Sequence, residues 1–234
     1  MKKILDMAAT ELLCSSCFHV NSNYKGPFTL GGKDAINGEG SVITKSFDDL
    51  TGFDAIEING HADVQFNQSS VYEVTVKTQE NILEWLDYKV DGTTLIIETK
   101  DHREIRAERY DLVIQAPSLK KLVVNGASDF EIPNLRTEDD LDIEINGAGD
   151  LSFDRVLCNS MTLQVNGAAD ADLTSISVLK DLKIEVNGAG DVNVTGNAQN
   201  VSLSVNGAGD IDATGLKVAG KVSKHASGLA KIKM

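Results

Sequence analysis

The sequence predicts an all-β protein built as a parallel β-helix, or β-solenoid, and two observations favour this fold. A motif beginning with Asn-Gly recurs about every twenty residues through the second half of the chain. On both sides of each motif, apolar and polar residues alternate, as in strands with one buried face. The chain has 234 residues, 41% of them hydrophobic, so it can enclose a core of its own.

The motif reads Asn-Gly-Ala-small-Asp, and its five regular copies begin 21, 20, 21 and 19 residues apart. An earlier copy starts at Asn59, 66 residues before Asn125, a distance close to three further periods. The regular copies supply a predicted bend ladder of Asn125, Gly126 and Asp129; Asn146, Gly147 and Asp150; Asn166, Gly167 and Asp170; Asn187, Gly188 and Asp191; and Asn206, Gly207 and Asp210.

Two architectures suit strands joined by such bends. Asn-Gly between alternating strands is typical of an antiparallel hairpin. The constant Ala-small-Asp continuation and the near-fixed period instead favour one repeat per coil, with each strand pairing in parallel with its equivalent in the next coil. Both Asn and Gly are expected to adopt the left-handed backbone conformation that the bend requires. Stacked Asn side chains, ~4.8 Å apart, are expected to form an amide ladder.

The aspartates of the motif would also stack, and adjacent carboxylates repel by roughly 1 kcal/mol even in water. We therefore expect them to point to solvent and to cap local backbone N–H groups. A calcium ladder is the alternative, because oxygen-rich corners suit hard cations. The Gly-Gly-x-Gly-x-Asp spacing of calcium-binding coils does not occur here, and we assign no metal or other cofactor.

The N-terminal residues 1–17 resemble a bacterial lipoprotein export signal, with two lysines, a short apolar run and Ser15-Ser16-Cys17. The resemblance implies cleavage before Cys17 and acylation of that residue. Asp6 and Glu11 depart from the pattern, because each places a charge in the apolar run. Residues 18–46 have little periodicity and are interpreted as a flexible tether.

Residues 47–234 are predicted to form one solenoid domain. Its first coils are irregular and include a short helix near Glu80–Trp85, and its regular coils span about 119–215. Residues 216–234 form a degenerate terminal coil, in which His225-Ala226-Ser227-Gly228 replaces the Asn-Gly bend. Lysines near this end would discourage end-to-end stacking.

The composition excludes several classes of function. A net charge of −13, with no basic stripe, argues against a nucleic-acid partner. The histidines are scattered, and Cys158 has no nearby histidine and is interpreted as a packed residue. The acids recur once per coil, which is typical of a scaffold, so no catalytic residue is assigned and an enzyme is not expected.

The repeated Asn-Gly-Ala-Gly-Asp units, with Phe53-Asp54-Ala55-Ile56 and 113–119 before them, resemble the putative auto-transporter adhesin head domain, the GIN domain family. The resemblance extends from about residue 47 to the C-terminus and implies a right-handed parallel β-helix in an envelope or surface protein, with no catalytic residues to transfer.

We therefore predict a non-catalytic surface module that recognises glycan or protein partners through a flat solenoid face, and that contacts a membrane through a lipid anchor alone. A structural or assembly spacer of the envelope and, less favoured, a polysaccharide-degrading enzyme are the alternatives. The sequence does not predict the oligomeric state. The positions expected to line the face are Asp142, Glu144, Gln164, Lys183, Glu185, Ser202 and Ser204.

Overall fold

The computed structural model describes residues 35–234. The predicted export signal with Cys17 lies outside the described residues, as does most of the predicted tether. Within the described part, strands dominate, and the coils repeat about every 21 residues. No helix in residues 35–234 is long and apolar enough to cross a membrane.

The first part of the described chain contains short, separate strands and two short helices. The elements are β1 (Ile36–Asn37), β2 (Val42–Phe47), β3 (Ala55–Gly60), β4 (Asp63–Gln68), β5 (Glu73–Gln79), α1 (Glu80–Leu83), β6 (Leu86–Asp91), β7 (Thr94–Thr99), a 3₁₀ helix (Lys100–His102), β8 (Ile105–Arg106) and β9 (Tyr110–Ala116).

The second part contains the regular coils, where some strands continue around the bends. The strands are β10 (Lys121–Ala127), β11 (Asp129–Ile132), β12 (Leu135–Arg136), β13 (Leu141–Phe153), β14 (Val156–Cys158), β15 (Met161–Gly188), β16 (Val192–Gly207), β17 (Asp210–Val218), β18 (Val222–Gly228) and β19 (Lys231–Lys233).

Each regular coil contributes to three parallel ladders, which we call sheets A, B and C. Sheet A contains the segments that lead into each Asn-Gly, such as Leu141–Gly147 stacked on Lys121–Gly126. Sheet B contains the segments that begin near each motif Asp, and sheet C the short segments that follow, such as β12 and β14. The pairing is parallel throughout these coils, which excludes the hairpin alternative.

The core lies between the three sheets and is filled by the inward half of each alternating strand. Ile143, Leu163, Ile184 and Leu203 are almost fully buried in sheet A, whereas the residues beside them in sequence are half-buried or exposed. Burying one such side chain contributes roughly 1.5–3 kcal/mol relative to leaving it in water. The repeat therefore stabilises the fold coil by coil.

The order of the coils in space differs from their order in the chain. β3 lies between β7 and β10, and β4 lies between β9 and β11, all as parallel neighbours. Asn59 is therefore directly in register with Asn125. The interpretation of the 66-residue spacing from Asn59 to Asn125 as three more stacked periods is wrong, because residues 69–116 fold back to the far side of the first coil.

Antiparallel strands complete this N-terminal end. β6 pairs with β7, β5 pairs with β9, and β2 pairs with β5. The predicted tether is thus too long at its C-terminal end, since residues 42–46 are paired in β2. The predicted helix near Glu80 is present as the single turn α1.

The side chain of Gln68 takes the place of a strand below sheet C. Its Nε2 donates to the carbonyls of Pro117 (2.9 Å) and Arg136 (2.8 Å), and its Oε1 accepts from the Arg136 N–H at 2.9 Å. One amide side chain thereby satisfies backbone groups of β12 that the coil below does not reach.

The final coil is the degenerate one that the sequence predicts. β18 pairs in register with the sheet A part of β16, and β19 pairs with β17. Ser227 lies opposite Asn206, and Gly228 lies opposite Gly207. The serine therefore occupies the position of the bend asparagine.

Candidate functional site

The bend asparagines form a continuous column of side-chain hydrogen bonds. Each Nδ2 donates to the Oδ1 of the asparagine in the neighbouring coil on the N-terminal side. The donor–acceptor distances are 2.9 Å for Asn125 to Asn59, 3.0 Å for Asn146 to Asn125, 2.9 Å for Asn166 to Asn146, 3.0 Å for Asn187 to Asn166, and 3.1 Å for Asn206 to Asn187. All the amide dipoles in the column therefore point the same way, and such chains polarise one another.

The two ends of this amide ladder are closed by residues of suitable chemistry. At the N-terminal end, Asn59 Nδ2 donates to the carboxylate of Glu57 at 3.0 Å. At the C-terminal end, the Ser227 hydroxyl donates to Asn206 Oδ1 at 2.7 Å. An ionised carboxylate accepts hydrogen bonds, so Glu57 matches the free amide donor of Asn59. A hydroxyl can donate, so Ser227 matches the free amide oxygen of Asn206.

The bend glycines stack so closely that a side chain would collide with the neighbouring coil. A Cβ on Gly147 would lie 1.9 Å from the Gly126 carbonyl oxygen, and one on Gly167 would lie 1.9 Å from that of Gly147. These glycines also have positive φ, such as +152° at Gly147. Glycine is required here both for its backbone conformation and for the close approach of two backbones.

The asparagines do not share the left-handed conformation, so this part of the expectation is wrong. Among the described non-glycine residues, positive φ occurs at Asp101, His102 and Ser175. The bend asparagines instead remain in the extended ladder, with Asn146 in register with both Asn125 and Asn166. The glycine makes the bend, and the asparagine supplies the side-chain hydrogen bonds.

The motif aspartates form a second column, on the sheet B side of the bend. It extends further than the repeat predicts, because Asp63 is in register with both Asp129 and Asp111. At the other end, Asp210 is in register with Lys231. A column of carboxylates therefore ends at a cation.

Most of these carboxylates cap the neighbouring coil and not their own turn. The Oδ1 atoms of Asp129 and Asp170 each accept a backbone N–H at 2.9 Å, from Asp150 and Asp191. Asp191 accepts from the Asp210 N–H at 2.8 Å. The aspartates accept hydrogen bonds from backbone N–H groups, as expected. These N–H groups, however, belong to the next coil and not to the turn of the aspartate itself. Each bond joins two coils at the corner where the strand direction changes.

Within residues 35–234, no three His, Cys, Asp or Glu residues are grouped in a way that could hold a metal ion. One oxygen of each capping aspartate is already bound to a backbone N–H. The geometry thus supplies a structural role for the column and no argument for calcium.

The outer surface of sheet A presents the positions that the sequence assigns to a binding face. Asp142, Lys183 and Ser202 are exposed, and the remaining four expected residues are half-buried. Lys183 and Glu185 form an ion pair at 3.0 Å on this surface. We call the outward residues of sheet A the outer face.

Cys158 is packed in the interior of the solenoid, as the sequence predicts. Cys158 is free and fully buried in sheet C. Burial raises the pKa of its thiol to about 12, and the charge of nearby Asp140 adds to this effect. A thiol that remains protonated at neutral pH is a poor nucleophile.

A pair of tyrosines closes part of the N-terminal end. The hydroxyls of Tyr88 and Tyr110 are 2.9 Å apart, and burial raises the pKa of both phenols. Both hydroxyls therefore remain neutral at physiological pH, and the pair acts as a buried polar link between β6 and β9.

Three features of this site were not predicted from the sequence. They are the hydrogen bond of Glu57 at the end of the amide ladder, the place of Asp111 in the aspartate column, and the aspartate bonds to the next coil. The signal for Glu57 was available, because it lies two residues before Asn59 and so on the same strand face. Glu144 has the same relation to Asn146 and accepts from it at 3.0 Å. Asp111 carries no repeat motif, and only the stacking reveals its place.

These features define a class: a repeat protein whose coils are joined by an amide ladder, an interlocked glycine column and inter-coil aspartate caps. The chain belongs to the family described as putative auto-transporter adhesin, head GIN domain, whose profile matches residues 52–177 and 171–234. Comparison with curated proteins gave no significant match.

Solved structures share this fold. A putative adhesin from Bacteroides fragilis has 20% identity and a TM-score of 0.68, with 85% of this chain and 99% of that chain covered. A putative lipid binding protein from Parabacteroides distasonis has 19% identity and a TM-score of 0.55, with 86% and 100% covered. At these identities the comparison shows the fold alone.

Proposed function

We propose that the protein is a non-catalytic binding module of the cell envelope, an adhesin that recognises glycan or protein surfaces through its outer face. One observation carries this proposal. In-register stacking places the outward side chains of sheet A in straight columns, and their chemistry changes from coil to coil while the bend residues stay the same.

The contrast is clear in two neighbouring columns of sheet A. Lys121, Asp142 and Thr162 are successive members of one outward column. In the inward column that follows it in sequence, Leu122, Ile143 and Leu163 are all aliphatic and buried. The inward and bend positions are fixed by packing, so the outward positions are where recognition can vary without loss of the fold.

The family supports this proposal, since it is named for adhesion. A solenoid also presents a long, continuous surface of the kind that repeat proteins use for extended ligands. The name of one structural neighbour concerns lipid binding. For the present chain, a lipid headgroup is therefore included among the ligands that the experiment below must compare.

The proposal includes attachment to the outer membrane through an acylated Cys17, with the solenoid held in the periplasm or at the surface. The support is the lipoprotein-like order of charged, apolar and small residues before that cysteine. Mass spectrometry of the mature N-terminus tests this part separately. A chain that retains residues 1–16 and carries no acyl group would overturn the anchor.

The experiment for recognition uses glycan arrays, phospholipid strips and pull-downs from envelope extracts, with Lys183→Glu as the test variant. Lys217→Glu is the matched control, because it makes the same charge change at an exposed position of sheet C. We expect loss of a bound ligand with Lys183→Glu and retention with Lys217→Glu. Equal binding by both variants would exclude the outer face.

A structural or assembly role in the envelope is the second candidate. It is favoured by the continuous ladders along the solenoid, which would suit a stiff spacer. Self-association of the wild-type protein, together with no ligand in any of these assays, would support this role. Turnover of an acidic polysaccharide would contradict both proposals and indicate an enzyme.

A further inference from the structure

The two ends of the solenoid are built differently. At the N-terminal end, antiparallel strands and α1 follow the first coils. At the C-terminal end, β18 pairs with β16 and β19 pairs with β17. Within residues 35–234, no strand pairs with the other edge of β18 or β19, and every residue of β18 is exposed.

The free edge of β18 exposes backbone hydrogen-bonding groups. The Lys221 carbonyl accepts from the Val201 N–H at 2.8 Å, and the Leu229 N–H donates to the Gly207 carbonyl at 2.8 Å. Because successive residues of a parallel strand direct their peptide groups to alternate sides, those of Val222, Lys224 and Ala226 point away from β16. A row of unpaired N–H and C=O groups is a template for another strand.

The charge of this end is opposite to that of the rest of the protein. Residues 218–234 contain four lysines and no acidic residue, although the whole chain has a net charge of −13. Lys221, Lys224 and Lys231 form no ion pair with any described residue, and Lys233 lies 3.9 Å from Asp212. An acidic partner would therefore be attracted to this end, and a basic one repelled.

The side chains of β18 add a specific pattern. Val222, Lys224 and Ala226 lie in register with the buried Val201, Leu203 and Val205, so they occupy core-facing positions of the last coil. Val222 is 47% exposed although its neighbour Val201 is buried. A strand that pairs with β18 would thus lie beside an apolar residue (Val222), a cationic residue (Lys224) and a second apolar residue (Ala226), each two positions from the next.

We propose that the C-terminal edge, β18, accepts an extended acidic segment of another polypeptide as a further strand of sheet A. An Asp or Glu of that segment lies beside Lys224, with apolar residues two positions to either side beside Val222 and Ala226. Backbone pairing supplies the affinity, and the charge pair sets the register. The same edge of a second copy is disfavoured, because it brings lysine against lysine.

This surface is distinct from the outer face and does not depend on it. The probe is a short fluorescein-labelled peptide of alternating Thr and Val in which the central core-facing Val is Glu. Its controls are the same peptide with Lys in place of Glu, and a scrambled peptide of equal charge. Fluorescence anisotropy with the full chain reports binding.

We expect the Glu peptide to bind, and the Lys peptide to bind about tenfold more weakly, because like charges then face each other. Lys224→Glu should reverse this preference. Ala226→Pro should weaken both peptides, because proline removes an edge N–H without removing a bond to β16. Circular dichroism verifies that each variant is folded.

Three results would overturn the proposal. The scrambled peptide could bind as well as the Glu peptide, which would indicate unspecific charge attraction. Ala226→Pro could leave peptide binding unchanged, which would exclude strand addition. Phosphatidylglycerol vesicles could bind wild type and Ala226→Pro equally while the Glu peptide does not bind, which would identify a basic lipid-binding patch. Loss of outer-face binding in Lys183→Glu has no bearing on any of these results.

Discussion

Asn166 donates its side-chain N–H to the Oδ1 of Asn146 at 2.9 Å and accepts from Asn187 Nδ2 at 3.0 Å. One amide group thus joins three successive coils. Each such side chain carries both a donor and an acceptor, so the same residue type can repeat without interruption. At each end of the column a single bond is enough, and Glu57 accepts at one end while the Ser227 hydroxyl donates at the other.

The ladder predicts that Asn166→Ala destabilises the protein. Three hydrogen bonds are lost, two within the ladder and a longer one that Gln164 Nε2 donates at 3.3 Å, so the free energy of unfolding should fall by about 2–4 kcal/mol. Urea denaturation followed by circular dichroism measures this change. Asn197→Ala is the control, since Asn197 is exposed and its side chain forms no hydrogen bond with any described residue. Equal destabilisation by both substitutions would contradict a special role for the ladder.

The glycine column predicts a difference between two glycines of similar backbone conformation. Gly147 has φ +152° and Gly60 has φ +145°, but among residues 35–234, apart from the two chain neighbours of Gly60, no atom lies within 4 Å of a Cβ placed on Gly60. Gly60→Ala should therefore cost only the backbone strain, about 1–3 kcal/mol. Gly147→Ala adds a collision with the Gly126 carbonyl and should cost clearly more, or prevent folding.

Melting temperature and soluble yield compare the two glycine variants. If Gly147→Ala does not fold, the folded Gly60→Ala variant still separates the two causes. Equal melting temperatures for both variants would show that the coils can separate locally, and that close stacking does not require glycine.

The burial of Cys158 predicts a thiol that does not react in the native state. In a Cys14→Ser/Cys17→Ser background, Ellman's reagent at mildly alkaline pH should react very slowly, because the pKa of this thiol is raised to about 12 and its sulfur is buried. Addition of urea should accelerate the reaction as the coil opens. Rapid reaction without urea would indicate that sheet C opens in the native protein.

Asp140 predicts a pH dependence of stability. Hydrogen bonds from the Asn159 side chain (2.7 Å) and the Ser160 N–H (3.1 Å) hold the pKa of this carboxyl below its usual value. The native state thus favours the charged form. The stabilisation is present above the unfolded pKa of about 3.9 and is lost as the pH falls through the folded pKa.

Thermal unfolding of wild type and Asp140→Asn across the acidic range tests this linkage. Wild type should be the more stable at neutral pH, and the difference should shrink as the pH falls through the lowered pKa of Asp140. Glu138→Gln is the control, because Glu138 is exposed and its carboxylate accepts no hydrogen bond from described residues. A difference that is independent of pH would contradict the assignment.

The solenoid, the residues that face the core and the positions of the bends could all be predicted from the amino-acid sequence. These follow from local chemistry, since a two-residue alternation specifies the buried face of a strand, and glycine is required where backbones approach closely. The sequence also indicated that the last coil departs from the motif at Ser227.

The order in which the coils stack, the partners of the aspartates and the open strand edges could be recognised only in the folded protein. Asn59 and Asn125 are neighbours although 66 residues separate them, because the segment between them folds back beneath the first coil. A period read along the chain assumes that consecutive segments stack. Which segments pair depends on apolar surfaces and backbone edges that are distant in sequence. These surfaces and edges come into contact only when the chain folds.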